Sequence, residues 1–158
     1  MQLLTSGEVA LHVDASPERV FALLGDVTRT GEWSPECRRC EWTGDPKGPV
    51  VGARFRGWNR SGLVRWSRLV EIVTAVPGRE LAWRTLPDRM NKDSTTWRFV
   101  LEPDDGGTRI TQSYEIHEPP HFPINVVMST LLRHHADMRP AMQESLERIR
   151  TVVERDAG

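Results

Sequence analysis

Histidine titrates near neutral pH, so a histidine on an apolar face is the first residue to weigh for proton chemistry. His135 lies four residues after Leu131 and three before Met138, which puts it on the apolar stripe of an expected C-terminal helix. With a tyrosine or an arginine beside it, such a histidine can move the protons that an aldol cyclisation or a dehydration requires. Tyr114 and Arg68 fall on the inward register of their expected strands and are the candidates for that second group. The alternative is a core histidine satisfied by a polar neighbour. An inward Arg68 suits a ligand carboxylate or an internal acid better than it suits catalysis. Asn59, Thr85, Thr95 and Gln112 share the inward register and offer further hydrogen-bonding tips.

Two other constellations carry less. Cys37-Arg-Arg-Cys40 has CxxC spacing, but zinc needs two further ligands, and redox use favours a first cysteine at a helix N-terminus. The pair opens an expected strand, where residues three apart face opposite sides. His134-His135 is an adjacent pair that diverges around a helix, so no metal site and no cofactor is expected. Between Pro46 and Val70 there are no acids, while Lys47, Arg54, Arg56, Arg60, Arg65 and Arg68 gather near Trp58 and Trp66. Basic and aromatic groups together can hold nucleic acid or anionic headgroups. Arg54, Arg56 and Trp58 share the face opposite Phe55, however, which reads as the solvated outside of a hairpin paired with strand acids. Nucleic acid is therefore not expected, and an interaction module built on the basic hairpin 54–68 is the faintest alternative. Gly106-Gly107 is a hairpin turn, and no strand–GxGxxG–helix unit occurs.

The composition sets the frame for these residues. A chain of 158 residues fits one domain, 1–158, and can bury a core without staples. Formal net charge is −1 with 27% charged residues, so no overall field favours polyanions. Two cysteines make no secreted disulfide framework, and the start MQLLTSGEVALHV lacks the marks of a signal peptide. No apolar run reaches membrane-spanning length. The expected compartment is the cytoplasm.

The elements that must position the candidates follow from period and punctuation. Val9, Leu11 and Val13 alternate with His12 and Asp14, the pattern of a half-buried strand over 8–15. Ser16-Pro17 then starts a helix, with a capping hydroxyl followed by a proline at the first helical position, and Gly25 stops it. A second short helical piece covers 26–32 and ends at Trp33-Ser34-Pro35. Six strands are expected at 37–43, 52–59, 63–76, 79–86, 94–102 and 108–117. Short turn-forming separators such as Pro77-Gly78 and Asp104-Asp105-Gly106-Gly107 favour an antiparallel meander. After Phe122 the chain reads as one helix, about 124–154. Its stripe is Ile124, Val127, Met128, Leu131, Met138, Met142, Leu146, Ile149 and Val153. Pro140 predicts a kink within it, or else a break into two helices at 139–140.

The segments ASPERVFALLGDVTRTGEWSP (15–35), VGARFRGWNR (51–60), ELAWRT (80–85), TTWRFVLEPDDGGTRITQSYE (95–115) and the ending MRPAMQESLERIRTVV resemble START-like (SRPBCC) proteins. Within them the likeness is to the polyketide cyclase/dehydrase-type branch. That resemblance implies an α+β helix-grip fold: a seven-stranded curved antiparallel sheet around a long C-terminal helix, with two short helices after the first strand. It also implies a deep pocket between the sheet and that helix. Strand alternation independently gathers Phe55, Trp66, Val70, Trp83, Trp97, Phe99, Leu101, Ile110, Tyr114 and Ile116 on the concave face, as core filling or as cavity lining. The ligand-binding candidates are Phe55, Asn59, Trp66, Trp83, Trp97 and Phe99 from the sheet, with Gln112 and Tyr114. From the helix come Leu131, His135, Met138 and Met142. The expected partner is a hydrophobic or amphipathic small molecule: a polyketide-like aromatic, an isoprenoid or a fatty acyl chain. Binding alone and cofactor-free cyclisation or dehydration by His135, Tyr114 and Arg68 are the two readings.

Overall fold

A computed structural model describes residues 3–118 and 132–158. The first strand, β1 (Ser6–Val13), runs into α1 (Pro17–Gly25), where the Ser16 hydroxyl accepts a hydrogen bond from the Arg19 amide at 3.3 Å. A 3-10 turn over Val27–Glu32 follows, its start held by the Asp26 carboxylate on the Thr28 amide. The meander is β2 (Cys37–Thr43), β3 (Arg54–Ser61), β4 (Val64–Val76), β5 (Glu80–Thr85), β6 (Ser94–Asp104) and β7 (Gly107–Glu118). All neighbours pair antiparallel in one seven-stranded sheet ordered β1-β7-β6-β5-β4-β3-β2. The two helical segments after β1 therefore carry the chain from one edge of the sheet to the other. The expected strands and the helix-grip architecture are present. The β6–β7 turn needs a left-handed pair, met by Asp105 (φ 47°) and Gly106 (φ 79°).

The last helix, α2 (Arg139–Ala157), does two jobs along its length. Leu146, Ile149, Val152 and Val153 recur by threes and fours and close a dry core with Val20 and Leu24 of α1 and with Phe99, Leu101 and Ile110 of the sheet. The N-terminal half instead borders an open space. Ion pairs tie its far end down: Arg29 bonds Glu32 at 2.6 Å and Asp156 at 2.8 Å. No helix among the described residues is long and apolar enough to cross a membrane.

The start of this helix corrects the expectation of one kinked helix over 124–154. Residues 133–136 form a 3-10 turn, Asp137 is extended, and α2 begins at Arg139 with Pro140 in its first turn. The first turn has no intrahelical use for the missing proline N–H, and the fixed proline φ suits a helix start. The Asp137 carboxylate accepts from the Arg139 amide at 3.0 Å, doing a cap's work. Consequently His135 and Met138 do not ride a helical stripe. Ile124, Val127, Met128 and Leu131 lie outside the described residues.

Candidate functional site

Register determines which side chains meet across the concave face. Phe55, Gly57 and Asn59 of β3 stand opposite Val70, Arg68 and Trp66 of β4; Trp83 pairs with Trp97, and Trp97 with Tyr114. Successive residues two apart share a face, so each strand sends its alternate side chains the same way. With the 132–138 segment and the first turns of α2 they bound a cavity of about 710 Å³. Trp33, Trp66, Trp83 and Trp97, of the six tryptophans in the chain, lie on its walls. Their rings are fixed edge-on or tilted: Phe55 on Trp83 at 5.9 Å and 82°, Trp97 on Tyr114 at 5.6 Å and 35°. Such pairs stiffen the wall beyond what area burial alone would.

Of the residues expected at the site, Phe55, Asn59, Trp66, Trp83, Trp97, Gln112 and Tyr114 border this space from the sheet. His135, Met138 and Met142 border it from the other side. Phe99 does not. It is fully buried, edge-on to Trp33 at 5.9 Å and tilted on Trp83 at 5.5 Å, and so backs the wall instead of forming it. Leu131 lies outside the described residues.

Arg68 is committed elsewhere. Its Nη1 donates to Asp93 Oδ2 at 2.7 Å, and its Nη2 to the backbone carbonyls of Asp93 (2.9 Å) and Leu86 (3.2 Å). It meets an internal acid, one of the two partners weighed from the sequence. Tyr114 donates its hydroxyl to the Leu4 carbonyl at 3.2 Å, and burial raises its pKa. Neither group is placed as a free acid or base.

Three buried side-chain atoms among the described residues find no hydrogen-bond partner: Trp33 Nε1, Arg68 Nε and Gln112 Oε1. All three residues border the cavity. A buried unpaired polar atom costs roughly 1–3 kcal/mol; each of the three is packed away from the open space, although its residue lines the wall. Two are donors and one, the Gln112 oxygen, is an acceptor.

At the rim the structure corrects the diverging-histidine expectation. Because 133–136 is a 3-10 turn and not an α-helix, the two rings converge, 4.4 Å between centroids, and both donate from Nε2 to Glu36 Oε1, at 2.6 Å from His134 and 2.8 Å from His135. Burial pushes the Glu36 carboxyl up. The hydrogen bonds and charge of His135 and then of His134 outweigh it, so the group stays below the ordinary carboxylate range and is ionised at neutral pH. Trp66 meets the His135 ring edge-on at 5.7 Å. The three donor atoms lie within 4.8 Å of one another. Ligands of a tetrahedral metal with bonds of about 2.1 Å would stand about 3.4 Å apart, wider than either Glu36–His contact. As built, the trio is a hydrogen-bonded latch between the turn before β2 and the segment before α2.

The cysteines also differ from expectation. A bulge between Cys37 and Arg39 sets Cys37 against Asn59 and Cys40 against Gly57. The extra residue cancels the alternation that would have sent them to opposite faces, and the thiols lie 3.2 Å apart on the cavity wall. On the outer face of the hairpin, Arg54 pairs with Glu71 at 2.9 Å, Arg56 bonds Ser67, and Arg39 stacks 4.1 Å over Trp58.

The family model described as polyketide cyclase / dehydrase and lipid transport matches residues 5–154. The chain belongs to that family. Among solved structures, it is similar to the Zhui aromatase/cyclase from a Streptomyces species at 14% identity (TM-score 0.76, 97% of this chain and 95% of that one). TTHA0849 from Thermus thermophilus superposes with a TM-score of 0.75 at 15% identity, covering 97% and 99%. The Polyketide_cyc-like protein Cgl2372 from Corynebacterium glutamicum is 29% identical (TM-score 0.64, 99% and 96%). No curated protein matches. The family assignment agrees with the helix-grip fold and leaves the site to its own residues.

Sequence reasoning did not include Glu36, Asp93 or Trp33 among its site residues. Trp33 belongs to the Trp33-Ser34-Pro35 segment, weighed from the sequence as part of the pocket mouth but not as a site residue. Asp93 is in the loop before β6, where no period applies. The bulge and 3-10 turn that aim Glu36 and the cysteines have no short-range sequence signature.

Proposed function

We propose that this protein binds an amphipathic, largely aromatic small molecule in the cavity between its sheet and the start of α2. The observation that carries the reading is a cavity of about 710 Å³ whose walls are largely aromatic, with Trp33, Trp66, Trp83, Trp97 and Tyr114 lining it beside the polar side chain of Gln112. Flat ligand surface would replace water against Trp66, Trp83 and Trp97. A hydroxyl or carbonyl on the ligand would meet the polar side chains that share those walls, among them Gln112 and Asn59. A flat ligand matches ring-lined walls better than a flexible acyl chain does, which favours a polyketide-like oxygenated aromatic. The Zhui aromatase/cyclase and the di-domain ARO/CYC StfQ from the steffimycin biosynthetic pathway share the fold at 14% and 15% identity, and their names agree with this ligand class.

The test is a tryptophan-fluorescence titration with a hydroxylated polycyclic aromatic and, separately, a long-chain fatty acid. Tighter binding of the aromatic, weakened about five- to thirtyfold in Gln112→Leu, is expected from the loss of one buried hydrogen bond. Equal affinities for both ligands, or no effect of Gln112→Leu, would refute the reading.

A second reading, turnover, has one observation in its favour. His135 borders the cavity with Glu36 bonded to its Nε2. An ionised carboxylate there keeps the proton on Nε2 and leaves Nδ1 with the lone pair, the arrangement of a general base with an orienting acid behind it. Such a base would take a proton next to a ligand carbonyl and return one to a departing hydroxyl, with no cofactor. His135→Ala would then abolish turnover and leave ligand affinity nearly intact. Loss of affinity in step with turnover would return His135 to a binding role.

A further inference from the structure

The two cysteines of the chain fall outside the function just described, and their geometry is specific. Cys37 and Cys40 occupy three steps of β2 but face residues only two apart on β3, Asn59 and Gly57. Two residues of strand span about 6.6 Å, so the bulge draws the cysteine backbones to within the roughly 4.4–6.8 Å that disulfides bridge. A β-carbon built on Gly57 would stand 3.5 Å from both Sγ atoms, which places the two thiols on one side of the sheet over that glycine. Their separation is 3.2 Å, against about 2.05 Å for a bond. Both border the cavity, Cys37 half-exposed and Cys40 buried. No described His, Asp or Glu joins them within metal-binding distance.

We propose that Cys37 and Cys40 are a reversible dithiol–disulfide pair in the cavity wall, oxidised by a small hydroperoxide that reaches them through the cavity. One cysteine thiolate attacks the peroxide; a sulfur–oxygen bond forms, the oxygen–oxygen bond breaks, and the leaving oxygen takes a proton and departs as water or an alcohol. The other sulfur, giving up its proton, then attacks the sulfenic acid, and the second oxygen leaves as water. Two thiols and one hydroperoxide become one disulfide, one alcohol or water, and one further water. A small thiol reverses it by exchange. Contact with the second sulfur, helped by Thr30, lowers the Cys40 pKa against burial, and the same contact with burial pushes the Cys37 thiol up. The pair does not depend on what the cavity binds.

The reduced full-length protein treated with hydrogen peroxide at neutral pH tests this. Intact mass should fall by two hydrogens with no added oxygen, and the thiol count after denaturation should drop from two to none and return with dithiothreitol. In urea, where nothing holds the two sulfurs 3.2 Å apart, the share of over-oxidised sulfinic acid should rise at the expense of the disulfide. In Cys37→Ser and in Cys40→Ser alike, dimedone should label the remaining cysteine. Surviving thiols, added oxygens without disulfide, disulfide-linked dimers, or a disulfide yield no higher in the native protein than in urea would overturn the proposal.

Discussion

Asp93→Ala removes the carboxylate that holds Arg68 against the cavity wall. The contact is short, 2.7 Å, and the two side chains are only 11% and 18% exposed, so water and salt screen it weakly. Breaking a fully buried pair costs 3–5 kcal/mol in the usual range; losing one charged hydrogen bond costs about 1.5–3 kcal/mol. Here the carbonyls of Leu86 and of residue 93 continue to accept from Nη2, which places the expected loss at about 2–3 kcal/mol. For a chain of this size that lowers the melting temperature by about 4–12 °C. The double variant Arg68→Met/Asp93→Leu removes both charges and their desolvation cost, and should recover most of the loss. Circular-dichroism melts of the wild type, Arg68→Met, Asp93→Leu and the double, each at low and high salt, give the coupling directly. A single variant within about 0.5 kcal/mol of wild type, or a double less stable than the sum of the singles, would refute the claim that Asp93 positions Arg68.

Pro140→Ala should change stability by less than about 1 kcal/mol in a denaturant melt, because the proline occupies the first turn of α2; a gain near 3 kcal/mol would place it inside a longer helix. His12 lies 3.0 Å from both Asp14 and Asp104, whose hydrogen bonds raise its pKa. Its stabilisation is therefore complete below the unfolded value of about 6.5 and fades as pH rises through the folded value. The melting-temperature gap between wild type and His12→Gln should be larger at about pH 5.5 than at about pH 9, and a gap that grew with pH would contradict the sign. Trp83→Ala removes a ring packed on Phe55 and Phe99 and should cost about 2–4 kcal/mol. Its melt should recover when a bulky aromatic is added, and the absence of recovery would mean that the ring fills core and does not shape a binding space.

The fold was legible because periodicity and punctuation agreed at each step. Ser16-Pro17 and Gly25 bracket α1, and β2 spans 37–43 as its alternation indicates. Inward alternation likewise carried Phe55, Trp66, Trp83 and Tyr114 to the cavity without knowledge of the pairing. What stayed hidden is set by single residues that break a period. The bulge at Cys37–Arg39 turns two cysteines the same way. Pro140 permits either a kink or a helix start, and the choice moved His135 from a helical stripe to a 3-10 turn where it meets Glu36. Phe99 has the right parity for the cavity, but parity does not report depth, and Trp33 covers it. The Asp93–Arg68 pair joins a loop to a strand across 25 positions, a separation over which no local pattern operates.

The central claim is that the cavity takes an oxygenated, largely aromatic small molecule. Native mass spectrometry of the protein as purified from its own kind of host, followed by solvent extraction, tests it most directly. The account predicts an adduct near one per chain that releases a flat hydroxylated or carbonyl-bearing species and falls in occupancy in Gln112→Leu. A bare protein mass that stays bare across a panel of such aromatics would contradict it.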